Sequence, residues 1–165
     1  GWSREKLINF QLEDKDAFKV LNDEKYAGIF QFEGYALQSL TRQMKIHNFE
    51  DIASITALAR PGPLNSGGTT QYIKRRTGEK PVEYLHPMTE DITKVTYGVV
   101  VYQEQVMTIA RDVGKLSWED VSQLRKAMSK SYGEEFFDRY WQRFKVGAEE
   151  NGIEEDEAQT IWKKN

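Results

Sequence analysis

The chain has 165 residues, no Cys, two His and a formal net charge of −3. Such a length buries a real core and fits one domain over 1–165 better than two, while the lack of Cys excludes a disulfide framework and any thiolate metal site. The acidic total argues against a protein that coats nucleic acid over its whole surface, and no apolar run reaches the length of a membrane span, so a cytoplasmic protein without membrane contact is expected.

Along the chain the periodicity is mostly helical. Asp14 caps a predicted short helix carrying Ala17, Phe18, Val20 and Leu21, with a turn at Asn22-Asp23. Gly28-Ile29-Phe30-Gln31-Phe32 reads as a brief strand or extended entry. Leu37, Leu40 and Met44 recur at helical spacing, as do Phe49, Ile52, Ile55 and Leu58, which predicts two amphipathic helices. Arg60-Pro61-Gly62-Pro63 ends the second, and Ser66-Gly67-Gly68-Thr69-Thr70 reads as a flexible loop leading into a basic helix around Lys74, Arg75 and Arg76. Residues 78–87 look irregular. Tyr97-Gly98-Val99-Val100-Val101-Tyr102 has the β-branched content of a short buried strand. Val106, Ile109, Ala110 and Val113 share one helical face, with Gly114 as the expected stop. Ser117-Trp118-Glu119-Asp120 has the form of a capping box, with Asp in place of Glu, and predicts a helix through about Met128. An aromatic helix with Phe136, Phe137, Tyr140, Trp141 and Phe144 follows Gly133, and a last helix covers 153–164. The fold class expected is mainly α with one or two short strands.

Charge is unevenly placed. Across 60–80 five basic residues stand against Glu79 alone, whereas across 149–165 six acids outweigh Lys163 and Lys164. A local anion-binding surface is therefore compatible with the acidic total. The start at Gly1 without Met, and an end at Asn165 without a helix-stop signal, suggest a piece of a longer protein.

No phosphate-binding glycine loop, dinucleotide fingerprint or zinc-protease helix is present, so a self-contained enzyme is not expected and no catalytic residue or metal ligand is assigned. His47 and His86 lack metal-ligand spacing and any nucleophile partner, and read as ordinary structural or surface residues. Three basic clusters have two readings each. Arg60, Gly62 and Ser66 lie in a Pro- and Gly-rich stretch that either presents a guanidinium and backbone amides to an anion or simply joins two helices. Arg125, Lys126 and Lys130 either neutralise a triphosphate or form a solvated helix end favoured by the macrodipole. Lys74, Arg75 and Arg76 either grip a phosphate backbone or are surface charge. The aromatic helix could stack bases of single-stranded DNA, but its spacing favours core packing.

Four ordered strings bring these pieces together: Gly28-Ile-Phe-Gln-Phe-Glu33, Ala59-Arg-Pro-Gly-Pro-Leu64, Tyr97-Gly-Val-Val-Val-Tyr-Gln-Glu-Gln-Val-Met107 and Leu124-Arg-Lys-Ala-Met-Ser-Lys130. In this order the chain resembles the C-family DNA polymerases of the bacterial polymerase III alpha type over nearly its whole length. The resemblance implies a helical fingers subdomain, with the palm upstream and the remaining fingers downstream in a longer polymerase chain. It further implies that dNTP and primer-template DNA are the partners. Arg60 with Gly62 and Ser66, and Arg125, Lys126 and Lys130, would face the triphosphate; Lys74, Arg75 and Arg76 would face DNA. Lys126 stands where the family often has a second Arg, which keeps the charge but removes the fork. The family's Mg2+-binding aspartates belong to the palm, and no Asp-x-Asp pair in a matching context occurs here, so the fragment alone is expected to be inactive. The rival readings are a nonenzymatic DNA-binding module and a protein-interaction segment.

Overall fold

Side-chain caps set the starts of several helices in the computed structural model, which describes residues 3–9, 11–128 and 134–163. The chain divides into two units, Gly1–Thr77 and Gly78–Asn165. In the first, Ser3 Oγ accepts the Lys6 amide and opens α1 (Arg4–Ile8). Asp14 Oδ1 accepts the Asp16 and Ala17 amides and opens α2 (Lys15–Asn22), the helix its position predicts. Next come α3 (Tyr35–Met44) and α4 (Phe49–Leu58), the latter capped by Asn48 Oδ1, which accepts the Asp51 amide at 2.8 Å. The unit is completed by α5 (Pro61–Ser66) and α6 (Gly68–Arg76). Phe18, Leu21, Leu40, Met44, Ile55, Leu58 and Tyr72 are buried, so much of the apolar pattern predicted for α2, α3 and α4 turns inward, while Ala17, Val20 and Phe49 stay exposed.

Residues 28–32 form no strand. They run through successive turns, in which the Ile29 amide donates to Tyr26 O and the Phe32 amide to Ile29 O. Gly28 and Gln31 have φ of +76° and +66°, a left-handed backbone that breaks an extended run, and Glu33 Oε1 accepts the Gly28 amide at 3.0 Å. Phe32 enters the core while Phe30 stays 85% exposed.

In the second unit a 3₁₀ turn at Pro87–Thr89, a short α7 (Glu90–Thr93) and a second 3₁₀ turn at Lys94–Thr96 precede α8 (Gln103–Asp112). There follow α9 (Trp118–Met128), α10 (Glu134–Glu150) and α11 (Glu155–Lys163). Their shared core is built on Ile109, Val113, Val121, Phe144, Ala148 and Ile161. Phe136, Phe137 and Trp141 are partly buried against it, and the rings of Phe144 and Trp162 lie 5.2 Å apart. The aromatic helix is thus a packing element.

The second expected strand is also absent; among the described residues there is none. Val99 is buried as its composition suggests, but Tyr97 and Gly98 are left-handed (φ +55° and +75°). The amides of Val101 and Tyr102, which a strand would give to a neighbour, both donate to Gln105 Oε1, at 2.8 and 2.9 Å. Gln105 Nε2 donates in turn to Ile92 O and to Thr96 Oγ1, so a single buried amide uses all its hydrogen-bonding capacity on this segment.

α8 ends just before Gly114, where the stop was expected, but Gly114 is not its left-handed residue. The left-handed residue after α8 is Lys115 (φ +50°). A Cβ on Gly114 would fall 2.1 Å from Phe144 Cδ2, and one on Gly147 would fall 1.9 Å from Gly114 O. These two glycines let α10 cross the end of α8 at backbone contact, and Asn151 Nδ2 donates to the terminal carbonyls of Asp112 and Val113. Half of the capping box proposed at Ser117 is present, with the Asp120 amide donating to Ser117 Oγ, while the Asp120 carboxylate pairs with Arg143.

Candidate functional site

Arg60 follows the end of α4 in an extended conformation (φ −101°, ψ 152°), which the proline after it favours, and Pro61 opens α5 where its missing N–H costs nothing. The stretch read as a flexible loop is therefore largely helical. Pro-Gly-Pro-Leu-Asn-Ser winds into α5, Gly67 (φ +79°) ends it in the left-handed conformation, and α6 begins at the next residue. Arg60, Gly62 and Ser66 are all exposed, and the Arg60 guanidinium has no ion-pair partner among the described residues. Ser66 Oγ donates to Pro63 O at 3.4 Å. At the base of this segment Thr69 Oγ1 donates to Leu58 O at 3.0 Å, closing 59–68 between the last turn of α4 and the first of α6.

The basic end of α6 is not uniform. Lys74 and Arg75 are half-buried, whereas the Arg76 side chain is only 8% exposed and forks onto Asp51, itself 6% exposed. Nε donates to Asp51 Oδ1 at 3.1 Å and Nη2 to Oδ2 at 2.7 Å. The remaining donors go to Met44 O and Lys45 O, carbonyls at the end of α3. Asp51 Oδ2 also accepts the His47 amide. The guanidinium that sequence grouped with a DNA-facing cluster is thus committed to joining α3, α4 and α6.

On the second unit, α9 buries Val121, Leu124 and Ala127 and leaves Arg125 and Lys126 exposed in its last turn, where the helix dipole favours positive charge. Gln103 Nε2, at the start of α8, donates to Arg125 O at 3.4 Å. Lys130 lies outside the described residues. Nearby in the same unit, Arg111 lies 5.0 Å over the Trp118 ring. Its guanidinium donates to both carboxylate oxygens of Asp112 and holds that group below the ordinary carboxylate range, against a smaller opposing push from burial.

His47 is exposed, and His86 Nδ1 accepts the Met88 amide at 3.2 Å, so His86 caps a 3₁₀ turn. Among the described residues no group of three His, Asp or Glu side chains is placed to hold a metal ion, and no helix is long and apolar enough to cross a membrane. Sequence reasoning missed Gln105, Asp51 and Thr69. Gln105 carried a local signal, since it is the third residue of a helix and reaches back to the amide before its start, as in a capping box. Asp51 and Thr69 carried none, because their partners come from other helices.

The class these features define is an all-helical segment that displays cations at a Pro-rich helix junction and at a helix end, without a gathered metal-ligand set among its described residues. Residues 3–152 match the family described as the bacterial DNA polymerase III alpha subunit finger domain. The chain is 38% identical over 156 residues to DNA polymerase III subunit alpha of Aquifex aeolicus, and 40% identical over 160 residues to those of Staphylococcus aureus and Staphylococcus epidermidis. Each match covers 94% of this chain but only 13% of the Aquifex relative and 15% of the staphylococcal ones. The chain belongs to the bacterial DNA polymerase III alpha subunit finger domain family.

Proposed function

We propose that this chain serves a DNA-directed DNA polymerase by supplying cations to the triphosphate of the incoming dNTP and to the phosphates of the primer-template. Arg60 presents a forked donor from a junction closed at its base, and the Gly62 and Ser66 region keeps that junction open to a ligand. Arg125 and Lys126 add charge from the end of α9, and Lys130 stays in the set on its sequence position. Lys74 and Arg75 are the DNA-facing pair; Arg76 acts through Asp51 to hold the helix that carries them. The chemistry the parent enzyme needs from Mg2+ is stabilisation of charge on the transferring phosphate, and its carboxylate ligands would come from outside this chain. The residues here bind and orient.

The observation that supports this reading is the match of 3–152 to the finger family, within which the exposed cations fall in the Arg-Pro-Gly-Pro-Leu and Leu-Arg-Lys-Ala-Met strings. The test is nucleotide incorporation by the full-length polymerase carrying Arg125→Ala with Lys126→Ala. Loss of charge-assisted bonds worth about 1.5–3 kcal/mol each predicts a rise of at least about tenfold in KM for dNTP. An unchanged KM and kcat would remove both residues from the site.

A further inference from the structure

The junction that carries Arg60, Gly62 and Ser66 depends on one buried side-chain bond. Leu58 O is among the last carbonyls of α4, which have no partner within the helix, and Pro61 and Pro63 bring no amide that could reach back to them. The donor comes instead from α6: Thr69, 4% exposed, gives its hydroxyl proton to Leu58 O at 3.0 Å. That carbonyl lies two residues before Arg60. Thr69 therefore holds the Leu58–Ala59 peptide, one before the peptide that leads into Arg60, while the proline after it restricts Arg60 itself to the extended conformation observed. At the far ends of the same two helices, Arg76 and Asp51 form the second tie between α6 and α4. With both ends tied, α6 holds the end of α4 from which the Arg60 backbone departs.

We propose that Thr69 is a positioning residue for Arg60 in nucleotide binding, acting through Leu58 O rather than by touching the ligand. This rests on the reading of Arg60 as a triphosphate contact. Thr69→Val keeps the shape and the buried methyl but removes the donor; Thr69→Ser keeps the donor and loses the methyl. Loss of the bond loosens the placement of a charge that must meet a phosphate at hydrogen-bond distance, and misplacement of that kind is costly to rate.

The experiment is single-nucleotide incorporation by the full-length polymerase, with kcat and the KM values for dNTP and for primer-template measured on Arg60→Ala, Thr69→Val, Thr69→Ser and the double variant Arg60→Ala/Thr69→Val. The expected results are a loss of about tenfold in kcat/KM for dNTP with Thr69→Val and recovery to within about twofold with Thr69→Ser. The KM for primer-template should stay unchanged, and the double variant should be no worse than Arg60→Ala alone. If Thr69→Val proves unstable, Thr69→Ala, which lets water reach Leu58 O, is held to the same non-additivity. Equal losses from the Thr69 change with and without Arg60 would mean that Thr69 acts on general stability and would overturn the inference alone. An Arg60→Ala enzyme with unaltered dNTP kinetics would overturn the reading of Arg60 and this inference with it.

Discussion

Arg76→Met removes a guanidinium that makes two bonds to Asp51 and two to the carbonyls that end α3, and puts in its place a side chain of similar length without donors. The Asp51 carboxylate, 6% exposed, is then left with the His47 amide at 2.8 Å and no countercharge from α6. Breaking a buried pair from one side costs about 3–5 kcal/mol, because the remaining ion keeps its desolvation penalty. Set against a total stability of about 5–15 kcal/mol for an ordinary domain, that brings the first unit near its unfolding limit. Replacing both partners, as in Asp51→Leu/Arg76→Met, removes the stranded charge, so the double variant is expected to be more stable than Arg76→Met alone. Urea unfolding followed by far-UV circular dichroism gives the free energies, and amide hydrogen exchange across α3, α4 and α6 localises the loss. A cost below about 1 kcal/mol for Arg76→Met, or a double variant weaker than the single, would refute the buried-pair argument. A stable Arg76→Met protein whose DNA affinity loses about one unit of salt slope would instead place that guanidinium on a phosphate.

Gly147→Ala drives a methyl against Gly114 O, a backbone atom that cannot rotate away, and is expected to destabilise the second unit by about 1–3 kcal/mol or more in a urea melt. Gln105→Leu leaves the Val101 and Tyr102 amides without their shared acceptor; a loss of at least about 2 kcal/mol is expected, with faster hydrogen exchange at those two amides. Asp112, depressed by Arg111, contributes stability that is present above the ordinary carboxylate pKa near about 4 and lost as pH falls through the lower folded value. Carboxyl NMR titration should place its midpoint below the ordinary range, and Arg111→Gln should raise it.

What the sequence by itself determined lies within a turn or two of chain, chiefly helix starts and apolar spacing. Asp14 and Ser117 cap the helices that follow them because a side-chain oxygen reaches an amide two or three residues on. The apolar spacings of α3, α8 and α10 showed which faces turn inward, those of α2 and α4 did so only in part, since Val20 and Phe49 are exposed, and the ordered strings were enough to point to the finger family. The strands at 28–32 and 97–102 were misjudged for a related reason: β-branched and aromatic content reports burial, whereas a strand also needs a neighbour, and here Gln105 and local turns take the hydrogen bonds. The tertiary structure alone decided the roles of Arg76, Thr69 and Gly114. Arg76 looks like Lys74 and Arg75 in sequence, and its role is decided by the arrival of Asp51 from 25 residues away. Thr69 gains its meaning from a carbonyl on α4, and Gly114 from a phenyl ring on α10. Such contacts depend on how helices pack, and packing partners distant in the chain leave no periodic mark on it.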